Sequence, residues 1–425
     1  KMQSLDCKAF RLALGVPFHA STLGTYKEIG VLPLDEFRQL SLAKYVLRGT
    51  TTDSNVENEV IIRSDIHFPK RAKTINSLTT INTYTAELFH QSEMDPREIG
   101  KSSSQSFPCP PWELQKANFD ITYSSLKKTD SINILSALTK EHMQNSYPDH
   151  LKMYTDGSLL NNNEAGAAFI IPSLKVERCF YIGKNRSIFT AELTAILMAL
   201  YYLLDFPKNI CNVLFCVDSK SVLNALDSSN TKVRKGLIIE ISYLINVLIL
   251  RGIGITFCWV PSHSGIRFNE KVDRLAKCGA HNSTDSSMIN IPLSLHEGCS
   301  LLQNACWKHF KQKLQDSGYH GIKHINQSLN VNDTFNSAKF SYKYRNVMSL
   351  IYRFRLNAFK TKFCKNISCV CGGKITNSHI LLHCEDLKPL LPAFSKCSLE
   401  QILSDISLMF DIVLGLTQSP IIRYL

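Results

Sequence analysis

Residues 151–158 read "LKMYTDGS", an apolar-flanked run in which the carboxylate of Asp156 comes immediately before Gly157 and Ser158. The pattern predicts a strand over 151–156 that ends on Asp156, with a turn at Gly157 and Ser158. Asp156 would then stand ionised at a strand tip, with little beside it in the sequence to neutralise it. A charge so placed takes its partner from elsewhere in the fold, and a metal ion is one such partner.

Outward from this stretch, further runs of strand length occur at 166–171 ("GAAFII") and 176–182 ("VERCFYI"), separated by turn residues. A helix follows from near Thr190, with Phe189, Leu193, Ile196, Leu197, Leu200 and Leu204 on one face. "VLFCV" at 213–217 is a buried-strand pattern ending at Asp218, and Ser219 is placed to cap the helix "SKSVLNAL". A longer helix over about 233–250, a strand "ITFCWV" at 255–260 and a last helix "FNEKVDRLAKCGA" complete the block. The order β-β-β-α-β-α-α-β-α predicts an α/β fold, a mixed five-stranded sheet flanked by helices.

Four acidic residues fall at sensitive points: Asp156 and Asp218 at strand ends, Glu192 in the first turn of the first long helix, and Asp273 in the last helix. Singly, each has an ordinary explanation as a cap, a complement to the helix dipole or a solvated face. Gathered in one cleft they repel, and a cation is needed to keep them ionised together. An all-carboxylate set suits Mg²⁺, with Mn²⁺ as a substitute, and two such ions would serve phosphodiester hydrolysis.

The motifs "YTDGS", "TAELTAI", "VDSKSVLNAL" and "WVPSHSGIRFNEKVDRLAK" occur in that order over roughly 151–281, and this segment resembles the type 1 ribonuclease H family. The resemblance implies a ribonuclease H-like fold in which Asp156, Glu192, Asp218 and Asp273 are catalytic metal ligands and His263 is the catalytic-loop histidine. It implies endonucleolytic cleavage of the RNA strand of RNA–DNA hybrids, leaving 3′-hydroxyl and 5′-phosphate ends, with substrate contact at Gly157 and Ser158. An imidazole between Pro261 and Gly265, in a loop read as flexible, suits proton transfer near neutral pH. Asn269 and Glu270 match the family pattern too, although Asn269 also suits the N-cap of the last helix. Only "DSSNTKV" separates the second helix from the next, so the basic extra helix of some bacterial members is not expected. The alternative reading is a catalytically inactive nucleic-acid-binding protein that keeps the fold; a DNA-cutting relative fits the "DGS" and histidine-loop motifs less well.

The flanks carry weaker patterns. Residues 5–48 alternate at helical spacing with breaks at Pro17 and Pro33. "LALGVP", "EIGVLPLDEFRQLSLAKYVLR" and "PPWELQKANFDIT" look like the segment joining reverse transcriptase to ribonuclease H in jockey-like non-LTR retrotransposons. The chain has no "YADD"-like signature and no adjacent Asp pair, so polymerase activity is not expected. The expected organisation is a helical connection remnant over 1–110, a linker over 111–150, the ribonuclease H domain over 151–281 and a helical C-terminal region over 282–425.

In that last region "SLIYRFRLNAFKTKF" at 349–363 sets Arg353, Arg355, Lys360 and Lys362 among aromatics. The pattern suits either contact with single-stranded nucleic acid or an ordinary solvated helix. "CVCGGKITNSHILLHC" offers Cys369, Cys371, His379 and Cys384 for tetrahedral Zn²⁺, with His383 and Cys364 as alternative ligands. The run is similar to the knuckle that closes many retroelement proteins.

Composition agrees with a polyanionic partner. The net charge is +12, and residues 1–150 are balanced at 17 basic and 17 acidic, so the excess lies wholly beyond residue 150. The 14 cysteines sit mostly singly in apolar runs with no secretory signal, which predicts reduced thiols and an intracellular protein, cytoplasmic or nuclear. The longest apolar run, 237–250, contains Glu240 and is too short to span a bilayer, so no membrane is expected as a partner.

Overall fold

The computed structural model describes residues 2–51, 81–100, 113–122, 132–206, 210–228, 234–281, 288–289, 291–317, 344–359, 368–369, 371–387, 389 and 397–419. In chain order the helices and strands are α1 (Met2–Leu14), α2 (Thr22–Ile29), α3 (Leu34–Thr51), α4 (Ile81–Gln91), β1 (Asn118–Asp120) and α5 (Ile132–Asn145). Then come β2 (Leu151–Leu159), β3 (Glu164–Ile171), β4 (Val176–Lys184), α6 (Ile188–Leu204), β5 (Asn212–Val217), α7 (Lys220–Ser228), α8 (Lys235–Leu250), β6 (Gly254–Trp259) and α9 (Arg267–His281). The last α-helices among the described residues are α10 (Leu295–Asp316), α11 (Arg345–Arg355), α12 (Leu399–Ser404) and α13 (Ile406–Leu416). No described helix is long and apolar enough to cross a membrane.

Contacts divide the chain into two compact units. One comprises Lys44–Thr80 and Glu93–Leu301, the other Lys1–Ala43, Ile81–Ser92 and Leu302–Leu425. The first holds a mixed sheet in the order β1-β6-β5-β2-β3-β4, with β1, β6, β5 and β2 parallel and β3 and β4 antiparallel to their neighbours. Successive side chains of a strand face opposite sides, so the strands split their apolar residues between two cores. Met153, Val213, Phe215, Val217, Ile255 and Phe257 pack under α6, α7 and α8. Tyr154, Leu214, Cys216 and Cys258 pack with Met143 of α5 and with Val272 and Ala276 of α9. Strands covered on both faces read as continuous apolar runs, which is why "VLFCV" shows no alternation. On the second face α9 crosses β3 at Gly166, where a Cβ would lie 2.3 Å from the Ala280 amide nitrogen.

Three expectations need correction. The sheet has six strands, because Asn118–Asp120, inside the stretch read as a linker over 111–150, pairs in parallel with β6. A three-residue strand has no periodicity of its own; it is held by Phe119 stacked on Phe257, ring centroids 5.2 Å apart, and by Asp120 accepting hydrogen bonds from His142 and Tyr147. The same stretch also supplies α5. Secondly, β2 does not end at Asp156 but runs on to Leu159, with Gly157 opposite Ala167 and Ser158 opposite Gly166. Gly157 is required by close approach rather than by a turn: a Cβ there would lie 2.3 Å from the Glu192 nitrogen and 2.5 Å from the Ala191 carbonyl carbon. Thirdly, the terminal regions read as 1–110 and 282–425 are not separate, since α1, α2 and the start of α3 share a unit with α11, α12 and α13. Val16 and Ala20 are buried with Ile351, Phe354, Ile402 and Met409 in one core.

Candidate active site

The register of β2 and β5 places the first two carboxylates. Their parallel pairing ends at Thr155 opposite Val217, so Asp156 and Asp218, the next residue of each chain segment, emerge side by side. Glu192 is the fifth residue of α6, one step past the first turn expected from the sequence, because the helix begins at Ile188; Ser187 caps it by accepting the Thr190 N–H at 3.2 Å, and it packs against side-chain-free Gly157. One oxygen from each of Asp156, Glu192 and Asp218 lies within 4.8 Å of the others. Asp273 and His263 line the same cleft, with Gly157, Ser219, Ser262, Asn269 and Glu270. Asp273 stands outside the tight trio and is paired with Lys277 at 2.7 Å, one helical turn along α9.

The trio is electrostatically uncomfortable without a cation. Burial, then the charges of Asp218 and Asp273, push the Asp156 carboxyl up to about 8, against a partial offset from the Gly157 N–H at 2.9 Å. Burial, then the charges of Asp156 and Asp218, raise Glu192 well above its ordinary value, and burial raises Asp218. Glu192 is 7% exposed, and its Oε2 has no hydrogen-bond partner among the described residues. A buried carboxylate oxygen left unpaired beside two further carboxylates fits a divalent cation, and the all-oxygen donor set favours a hard one such as Mg²⁺ or Mn²⁺.

Neighbouring groups hold the trio in shape. Trp259 Nε1 donates to the Asp218 carbonyl at 3.0 Å, and Asn269 Nδ2 donates to Asp218 Oδ2 at 3.3 Å. Asn269 is buried in the first turn of α9 and is not its N-cap; because α9 begins at Arg267, the side chain points at Asp218. The loop read as flexible is tied at several points. Ser264 Oγ donates to the Pro261 carbonyl, Gly265 N–H donates to Glu270 Oε1 at 2.9 Å, and Lys140 Nζ donates to the Gly265 carbonyl. His263 is exposed on this loop at φ +50°, a left-handed conformation uncommon for a residue with a side chain. Trp259 and Lys140 are contributors that the sequence does not single out, because each acts through a backbone carbonyl brought near only by folding.

Ser158 and the two arginines lie elsewhere. Ser158 is 6% exposed and does not line the cleft. Arg355, expected at a nucleic-acid surface, is buried: Nε donates to Glu28 Oε2 at 2.7 Å, and Nη1 donates to the Leu403 carbonyl. Arg353 donates from Nε and Nη2 to the Gly15 carbonyl at 3.0 and 2.8 Å. Arg355 is turned to the interior of its unit and Arg353 is half-buried against the end of α1, and desolvated guanidinium groups need such acceptors. Lys360 and Lys362 lie outside the described residues.

A second cluster forms in the other unit. Cys369 Sγ and Cys384 Sγ are 3.4 Å apart, Cys371 Sγ and His379 Nε2 3.2 Å, and Cys384 Sγ and Cys371 Sγ 3.6 Å. All four ligand atoms lie within 4.8 Å of one another. A zinc tetrahedron with bonds of about 2.3 Å to sulfur and about 2.0 Å to nitrogen has edges of roughly 3.5–3.8 Å, so this set is close to the required shape. The Gly373 N–H draws the Cys371 thiol below its ordinary value, while burial and the other two thiols push Cys384 up to about 12. His383 is exposed and outside the cluster, and Cys364 lies outside the described residues.

No curated protein matches the chain. Residues 148–281, which carry five of the six strands and every residue of the cleft, match the model of the RNase H family.

Proposed function

We propose that the protein is a divalent-metal-dependent ribonuclease H that cuts the RNA strand of RNA–DNA hybrids and leaves 3′-hydroxyl and 5′-phosphate ends. The observation that carries this reading is the trio of Asp156, Glu192 and Asp218, the first two buried and the third half-buried, mutually within 4.8 Å inside the segment matching the RNase H family. These three residues would hold Mg²⁺, or Mn²⁺ in its place, with Asp273 at the rim for a second ion. A cation held there would offset phosphate charge and make an attacking water more acidic. In the reaction, water adds to phosphorus, the P–O3′ bond breaks, the 3′ oxygen takes up a proton and the phosphate remains on the 5′ end. Asn269 and Trp259 keep Asp218 aimed into the cleft. His263, exposed at its edge, takes up or returns a proton at a ring nitrogen.

The Cys369, Cys371, His379 and Cys384 cluster is read as a structural Zn²⁺ site. The flanking motifs support descent from a jockey-like retroelement, and the twelve described cysteines, all free thiols, support residence in a reducing compartment, cytoplasmic or nuclear. The deciding experiment incubates the full chain with an end-labelled RNA–DNA duplex in Mg²⁺ and in EDTA, beside duplex DNA and duplex RNA. The expected result is loss of the hybrid's RNA strand alone, only with metal. Binding of the hybrid without cleavage in either Mg²⁺ or Mn²⁺ would instead favour an inactive binding protein.

A further inference from the structure

Residues 288–289 and 291–301 follow the matched segment in sequence yet are built into its fold. Ile289 N–H donates to the Tyr181 carbonyl at 2.8 Å, and Ile291 is buried against Ala165, Ala167, Ile182, Ala191 and Ala195. The polar centre of this contact is Glu297, in the first turn of α10 and 5% exposed. Its Oε1 accepts from the Ser187 N–H at 2.7 Å and the Thr190 hydroxyl at 2.6 Å. Its Oε2 accepts from Arg234 Nη2 at 2.5 Å and from both N–H and hydroxyl of Ser294. Arg234, itself buried, also donates from Nε to Thr190 Oγ1 at 2.8 Å and from Nη1 to the Pro292 carbonyl at 2.6 Å. Its backbone sits at φ +53°, a costly conformation for arginine that persists only where the surroundings impose it.

Stability alone does not call for such a network, since a buried ion pair is often matched or bettered by apolar residues of similar volume. What it does fix is the entry of α6. Ser187 is the N-cap of that helix, and Thr190 lies two residues, about 3 Å of helical rise, before Glu192. Gly157 presses on the Ala191–Glu192 backbone from the sheet, while Glu297 and Arg234 grip the turn that leads into it through Ser187 and Thr190. We propose that Glu297, with Arg234, is a positioning residue for Glu192, so that the working nuclease unit extends beyond residue 281 to about residue 301. The inference rests on reading the cleft as a divalent-cation site.

The test measures Mn²⁺ binding to the full chain by electron paramagnetic resonance, alongside thermal melting, for wild type, the double variant Arg234→Met/Glu297→Met, Thr190→Val and Thr190→Ser. Asp156→Asn identifies the signal from the cleft. The double variant should melt near wild type and bind Mn²⁺ about 10-fold more weakly, the scale of lost support around a ligand. Thr190→Val should weaken binding in the same direction, and Thr190→Ser, which keeps the hydroxyl, should restore it. A folded double variant with the wild-type dissociation constant overturns the proposal. Should the double variant not fold, wild-type binding by Thr190→Val overturns it equally. If Asp156→Asn leaves Mn²⁺ binding unchanged, it is the metal reading of the cleft that fails, not the role of Glu297.

Discussion

Asp156→Asn removes one charge from the carboxylate trio while keeping the side chain's size. Without metal, Asp156 is raised from 3.8 to about 8, first by burial and then by Asp218 and Asp273. A carboxyl group with a higher pKa folded than unfolded binds more protons in the folded state between the two values. Stability therefore falls as the pH rises from about 4 to about 8. At pH 7, with 1.36 kcal/mol for each unit above the unfolded value, the opposition reaches about 4 kcal/mol. Glu192 and Asp218 share this repulsion, so deleting one charge should return about 2–4 kcal/mol, or roughly 4–16 °C in melting midpoint for a unit of this size. Calorimetry of the full chain in EDTA at pH 7 should show the variant melting above wild type, with the gap closing toward pH 4. Added Mg²⁺ should raise the wild type more than the variant, and the variant should lose hybrid cleavage. A variant that melts at or below wild type in EDTA and keeps the full Mg²⁺ response would refute a shared electrostatic site.

Further substitutions probe the remaining assignments. His263→Ala, on an exposed loop, should slow hybrid cleavage by roughly 100-fold or more without ending it; an unchanged rate in single-turnover kinetics reduces the histidine to a bystander. The purified full chain should carry about one zinc, lost in Cys369→Ser and Cys384→Ser, and elemental analysis finding none in the wild type removes that site. Arg355→Ala should cost about 3–5 kcal/mol in denaturant unfolding, because Glu28 is left buried and unpaired. Its affinity for the hybrid should match wild type when measured under folding conditions, and a selective loss of affinity would return Arg355 to the nucleic-acid surface.

Much of the nuclease fold is legible in the sequence because its signals are local. Apolar runs of strand length, the helical face from Leu193 to Leu204 and the spacing of the histidine loop are written over short windows. The three carboxylates and His263 can be picked out for the same reason, each standing at an element's end or in a distinctive motif. Only the tertiary structure decided what long-range pairing controls. Parallel pairing that ends at Thr155 and Val217 sets Asp156 beside Asp218, and the packing of α6 turns Gly157 from an expected bend into a contact surface for Glu192. A three-residue strand such as Asn118–Asp120 exists only because β6 is there to pair with it. Arg355 shows the same limit in reverse: a basic side chain among aromatics reads as surface until Glu28, 327 residues away in sequence, supplies the acceptor that lets it be buried. The physical reason is that burial and charge pairing depend on distance in space, whereas propensity and periodicity depend on distance along the chain.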